Sequence, residues 1–194
     1  MEWEFRPQMS SKDRDKLIRW KDAPIIQQLL YNREIFTESE ARVYAGKEPS
    51  SQITDSFQLP DMAAGVDRII TAIDNKERIV VYGDYDVDGV TATVLLVQLL
   101  QAYGAFVTPR IPLREHGYGL SSHAIDDLAA DGTQLIITVD CGIRSLAEAT
   151  RASEAGMDLL ITDHHDIGLA LPEAAAVINP KREDSKYPQT TLPG

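Results

Sequence analysis

The sequence predicts an α/β fold: an open, mainly parallel five-stranded sheet with helices on both faces, preceded by a helical N-terminal extension. Two observations carry this. From residue 59 onward, short apolar runs of strand length alternate with segments of helical spacing, the pattern of successive βαβ units. Two of those runs stop directly at aspartate and another breaks at Gly83 just ahead of one, each where a strand hands over to a loop. Residues 1–58 are assigned to the extension and 59–194 to the α/β domain.

In chain order, residues 1–58 carry mixed charge and both tryptophans, Trp3 and Trp20, and read as helical pieces joined by turns. Thr37-Glu38-Ser39-Glu40 fits a capping box. From Leu59, apolar residues at Met62, Val66, Ile69, Ile70 and Ile73 have the spacing of a helix with one buried face. Ile79 to Tyr82 is a first strand, broken at Gly83. Val90 to Tyr103 is apolar almost all round and reads as a helix buried against a sheet. Ala105 to Pro109 is a second strand, followed by a glycine-bearing loop through residue 119 and a helix capped by Ser121. Gln134 to Val139 is a third strand, and Ser145-Leu-Ala-Glu148 reads as a capping box opening the next helix. Met157 to Thr162 is a fourth strand and Ala174 to Ile178 a fifth, ending at Asn179-Pro180; the remainder reads as loop.

With 194 residues, 43% of them hydrophobic, the chain can bury one substantial core. Its formal charge of −11 argues against a basic surface that grips nucleic acid by displacing counterions. Part of that charge suits a cation site: two divalent ions would bring the total to about −7. Cys141 is the sole cysteine, which excludes an internal disulfide. The opening residues lack the basic and apolar regions of a signal peptide, and no apolar run could span a bilayer. A soluble cytoplasmic protein with no membrane contact is expected.

The stretch IVVYGDYDVDGVT at 79–91 places Asp84, Asp86 and Asp88 at alternating positions. Such carboxylates oppose one another's ionisation unless cations share them; a solvated acidic turn is the bland alternative. An EF-hand loop would need a bidentate glutamate at its twelfth position, which is Leu95. A haloacid-dehalogenase-like phosphatase would run its strand directly into the nucleophile Asp86, whereas Gly83-Asp84-Tyr85 intervene, and it leaves His164 and His165 unused.

Ligands of an open parallel sheet bind beyond the carboxyl ends of its strands. Asp84, Asp86 and Asp88 follow the first strand, Asp140 the third, and Asp163, His164 and His165 the fourth. The topology therefore brings them to one edge. Carboxylate with imidazole suits Mn²⁺ or, less selectively, Mg²⁺. Two such ions can activate water and stabilise charge on a leaving oxygen, so phosphodiester or phosphoanhydride hydrolysis is the expected chemistry.

GDYDVDG at 83–89, VDCG at 139–142 and DHH at 163–165, in that order, resemble the DHH phosphoesterases, and DYDVDG is most similar to the RecJ-type single-strand-specific exonucleases. The resemblance runs from about Trp20 to the last residue. It implies the N-terminal catalytic half of a two-metal 5′ to 3′ exonuclease that hydrolyses single-stranded DNA in recombination and repair, using Mn²⁺ or Mg²⁺. By motif position, Asp84, Asp86, Asp88, Asp140 and His164 would hold the metals, with Asp140 bridging. Asp140, His164 and His165 would form the catalytic set, with His165 a ligand or a donor to phosphate and Asp163 orienting its neighbours. Arg114 would clamp a phosphate, with Gly117 and Tyr118 of the GYG loop and His165 also facing substrate; Arg110 and His116 flank the same loop. Family members continue into a further metal-binding aspartate, a second domain over the cleft and often an oligonucleotide-binding fold, so the chain is expected to be an N-terminal segment whose partner is the missing C-terminal domain, weakly active or inactive alone. A DHH enzyme acting on short oligonucleotides or pyrophosphate, and a non-catalytic metal-binding scaffold, are the alternatives.

Overall fold

Five short strands assemble in the order β2-β1-β3-β4-β5, every neighbouring pair parallel. They are β1 (Arg78–Gly83), β2 (Phe106–Arg110), β3 (Leu135–Val139), β4 (Asp158–Thr162) and β5 (Ala176–Ile178). A computed structural model describes residues 7–45, 54–113, 115, 117 and 119–192. The chain divides into two units, Met1–Ile53 and Thr54–Gly194. The second begins ahead of the expected break at 58/59, because a 3-10 turn at Ser56–Gln58 leads into Leu59, which packs in the sheet's core.

In the first unit, α1 (Ser11–Arg14), a 3-10 helix (Asp15–Trp20), α2 (Pro24–Tyr31) and α3 (Glu38–Tyr44) surround Met9, Leu17, Leu30 and Ala41. The capping box forms as expected: the Glu40 backbone N–H donates to Thr37 Oγ1, and the Glu40 carboxylate accepts from the Thr37 N–H. Buried Gln27 donates its side-chain amide to the Leu17 carbonyl at 3.0 Å, tying α2 to the 3-10 helix.

In the second unit, side chains alternate between two cores, one on each face of the sheet. Ile79, Val81, Leu135, Ile137 and Leu160 face α4 (Met62–Asp74) and α5 (Val87–Ala102). Val80, Tyr82, Ile136, Leu159 and Ile161 face α6 (Ser122–Ala130) and α7 (Leu146–Glu154). The parallel sheet with helices on both faces is thus the fold observed.

Three expectations need correction. α5 starts at Val87, ahead of Val90, because Asp86 caps it by accepting from the Gly89 N–H at 3.0 Å. α5 is also not buried all round: Thr93, Val97 and Leu100 face the sheet, whereas Leu95 and Leu99 are 69% and 54% exposed. It lies over β1, β2 and the margin of β3, next to the sheet's edge, so only one side is covered. Finally, Ser145 precedes α7 without a side-chain cap, and Glu148 instead accepts from Ser122 Oγ at 3.3 Å, so the second capping box does not form.

Candidate metal centre

The carboxyl ends of β1, β3 and β4 lie side by side, and their acids are set by the sheet itself. The Asp140 N–H donates to the Thr162 carbonyl and the Asp163 N–H to the Ile178 carbonyl, each at 3.1 Å, which carries the strand pairing one residue past β3 and β4. Asp140 is 2% exposed and left-handed, with φ +61°. A side chain seldom adopts that conformation, which costs on the order of 1–3 kcal/mol and gathers at functional sites.

Gly89 governs the approach of the first motif. A Cβ there would stand 2.6 Å from the Asp84 backbone N and O, so only glycine lets the first turn of α5 pack onto that strand end. Asp84 is buried in consequence, while Asp86 at the cap stays exposed.

Two groups of potential ligand atoms result, each lying within 4.8 Å of one another: Asp84, Asp86 and Asp140, and Asp140 with His164 and His165. Asp140 belongs to both. Its Oδ1 stands 3.0 Å from His164 Nε2 and 4.0 Å from His165 Nδ1. Asp88, also expected to ligate, is outside both groups; it sits in the first turn of α5 and its charge bears on Asp140. Burial first, then the charges of Asp88 and Asp86, push the Asp140 carboxyl up to about 6.

Asp163 does other work. Its Oδ1 accepts from the His164 and His165 backbone N–H groups at 2.7 and 3.0 Å and faces His165 Nδ1 at 2.8 Å, while Oδ2 accepts from the Ile143 N–H at 2.9 Å. Its lone pairs are spent on shaping the loop and fixing the His165 ring. Cys141 is fully buried, and burial raises its thiol pKa well above the ordinary value, which suits a packing residue and not a nucleophile.

The donor set fits a divalent cation. Asp84 Oδ1 is buried with no hydrogen-bond partner among the described residues, an oxygen whose desolvation only an electropositive group would offset.

Residues 78–191 match the DHH family, N-terminal domain. The chain belongs to the DHH family. The single-stranded-DNA-specific exonuclease RecJ of Bacillus subtilis (strain 168) is 37% identical over 195 residues, covering all of this chain and 25% of that protein. The protein of the same name from Escherichia coli (strain K12) is 40% identical over 139 residues, covering 71% and 24%. A crystal structure of exonuclease RecJ bound to manganese superposes with a TM-score of 0.62 at 35% identity, covering 68% of this chain and 34% of that one. RecJ in complex with Mn²⁺ from Thermus thermophilus gives 0.60 at 26% identity, covering 90% and 24%. The chain spans about a quarter of the length of the curated relatives it matches.

The expected substrate side of this DHH domain is described in part. Arg114, His116 and Tyr118 lie outside the described residues. Gly117 is left-handed, as is Gly119, whose carbonyl accepts from the Tyr82 hydroxyl at 3.2 Å and ties the loop to β1. Arg110 pairs with Asp127 at 3.0 Å. A cleft of about 390 Å³ opens beside His165, lined by Gly142, Ile143, Arg144 and Ser145. Sequence reasoning missed this wall, whose signal was the glycine of VDCG: Gly142 has φ +106°, and a Cβ there would stand 2.7 Å from Thr138 Oγ1. No helix among the described residues is long and apolar enough to cross a membrane.

Proposed function

We propose that this chain is the N-terminal catalytic part of a metal-dependent exonuclease that hydrolyses phosphodiester bonds of single-stranded DNA from the 5′ end. Cytoplasmic action in recombination and repair goes with that reading. Asp140 carries it: one buried carboxylate shared by an all-aspartate group and a histidine group suits a ligand bridging two cations. The RecJ relatives, single-strand-specific by name and bound to manganese in two crystal structures, support the substrate and the metal.

Asp84, Asp86, Asp140 and His164 would hold Mn²⁺ or Mg²⁺, with His165 completing the second group. Such ions supply Lewis acidity toward a phosphoryl oxygen and lower the pKa of water. The protein's own residues do the rest. Asp163 keeps the Nδ1 side of His165 engaged, so Nε2 is the nitrogen offered to a cation through its lone pair or, when it carries a proton, to a substrate phosphate. Asp88 adds negative charge beside Asp140 that strengthens cation binding. Asp86 spends one oxygen on the cap of α5, which fixes where its carboxylate points. Arg114, Gly117 and Tyr118 remain the proposed contacts to the strand.

Titrating Mn²⁺ into the chain while following melting by circular dichroism tests this. The melting temperature is expected to rise with Mn²⁺ and not to rise in Asp140→Asn, which tolerates the left-handed backbone but carries no charge. An unchanged melting temperature in wild type would remove the basis of the reading. Hydrolysis of a labelled single strand by this chain alone is expected to be slow, because the relatives are about four times as long.

A further inference from the structure

Asn179 directly follows β5 and is fully buried. Its side-chain amide donates to the His165 carbonyl at 3.0 Å, and its side-chain oxygen accepts from the Lys181 N–H at 2.8 Å. A buried amide with both ends satisfied is held in one orientation. Here one end belongs to the loop after β4 and the other to the turn after β5, so the side chain is a strut between them. At the start of the same loop, Asp163 holds the His165 N–H and ring Nδ1. His165 is therefore gripped through its backbone N–H, its ring and its carbonyl.

We propose that Asn179 is a positioning residue for His165. The bond between His165 and Asp163 joins residues two apart, and such a local bond forms in many backbone conformations. The Asn179 amide selects one of them by fixing the carbonyl that follows the ring. Without that donor the His165 carbonyl loses the bond from Asn179, the peptide after His165 is held less tightly, and the ring exchanges its bond to Asp163 for other orientations. In the held state the Nδ1 proton goes to Asp163 and the lone pair stays on Nε2. An outer hydrogen bond of this kind tunes a ligand without touching what it binds.

The test compares wild type, Asn179→Ala and a core control, Val177→Ala, in the 194-residue chain. Two readouts are followed: the ring-nitrogen NMR spectrum of His165 and the affinity for Mn²⁺ by calorimetry. In wild type the His165 ring is expected to show the pattern of a single tautomer with the proton on Nδ1. Asn179→Ala should mix the two tautomers, leave exposed His123 unchanged, and weaken Mn²⁺ by about 10-fold to 100-fold. Val177→Ala should lower the melting temperature and move neither readout. Should Asn179→Ala not fold, Asn179→Asp carries the ring-spectrum arm, since it keeps an acceptor for the Lys181 N–H and replaces the donor to His165 with an oxygen; the charge it adds bears on Mn²⁺ affinity, so that arm is not read from it. A wild-type ring spectrum in the Asn179 variant overturns the proposal, as does an equal change in Val177→Ala. Only the Mn²⁺ arm rests on the function proposed above; if wild type takes up no Mn²⁺, that function fails and the ring spectrum still decides Asn179.

Discussion

Asp140 combines three unfavourable conditions at one residue: burial, a left-handed backbone and neighbouring negative charge. Its ionisation in the folded chain therefore opposes folding. The carboxyl titrates at about 6 when folded against an ordinary 3.8, so between those values the folded chain holds the extra proton. Its contribution is fully present below about pH 4 and is lost as pH rises through 6. Without added metal, the stability of wild type relative to Asp140→Asn is expected to fall between about pH 4 and 7, read by urea denaturation at each pH. With Mn²⁺ the sign reverses, because the cation competes with the proton, and apparent affinity is expected to rise through the same window. Asp140→Asn should weaken Mn²⁺ by more than the roughly 10–100-fold that loss of an outer hydrogen bond costs. The identity of this residue was readable from a strand ending in aspartate. Its φ was not, since the residue type alone permits several conformations.

Among the elements, the join of β1 to α5 sets the metal side of the domain. Asp86 caps the helix and Gly89 lets its first turn touch the Asp84 backbone, so the acid motif is half loop and half helix. Gly89→Ala is expected to destabilise the chain by about 1–3 kcal/mol and to abolish the Mn²⁺-induced rise in melting temperature, because the added methyl must push Asp84 aside. A cavity change far from the motif, such as Ile136→Val on β3, should cost about 0.5–1.5 kcal/mol and keep the Mn²⁺ response. Strand positions were legible because Ile79–Tyr82 and Gln134–Val139 are apolar runs bounded by turn residues. The start of α5 was displaced by one turn because the aspartates read as loop, although one of them is the cap. The missing cap on α7 has a related cause: Ser145 and Glu148 have the right spacing, but tertiary contact with Ser122 claims the glutamate.

For the molecule as a whole, the convergence of distant acids and histidines followed from one inference, that parallel strands end on the same side. Asn179 and the Gly142–Ser145 wall escaped because their roles depend on loop contacts that no periodicity encodes. The net charge of −11 also sets an expectation for DNA. Few cations border the described site, and Arg110 is already paired with Asp127. Fluorescence anisotropy across a KCl series should therefore give weak binding of a single strand with a shallow salt dependence, about 0.7 in logarithmic slope for each phosphate neutralised. A slope of about five or more would place a basic track for the strand on this chain. The open side of α5 bears on how such measurements are made. Val87, Leu95 and Leu99, with Tyr103 just beyond the helix, form a greasy ridge in water, which environment-sensitive dyes will stain while the protein is still native. A fluorescence melt reported by such a dye would begin from a bright baseline and mask the stabilisation by manganese, whereas ellipticity at the helix band is blind to that ridge.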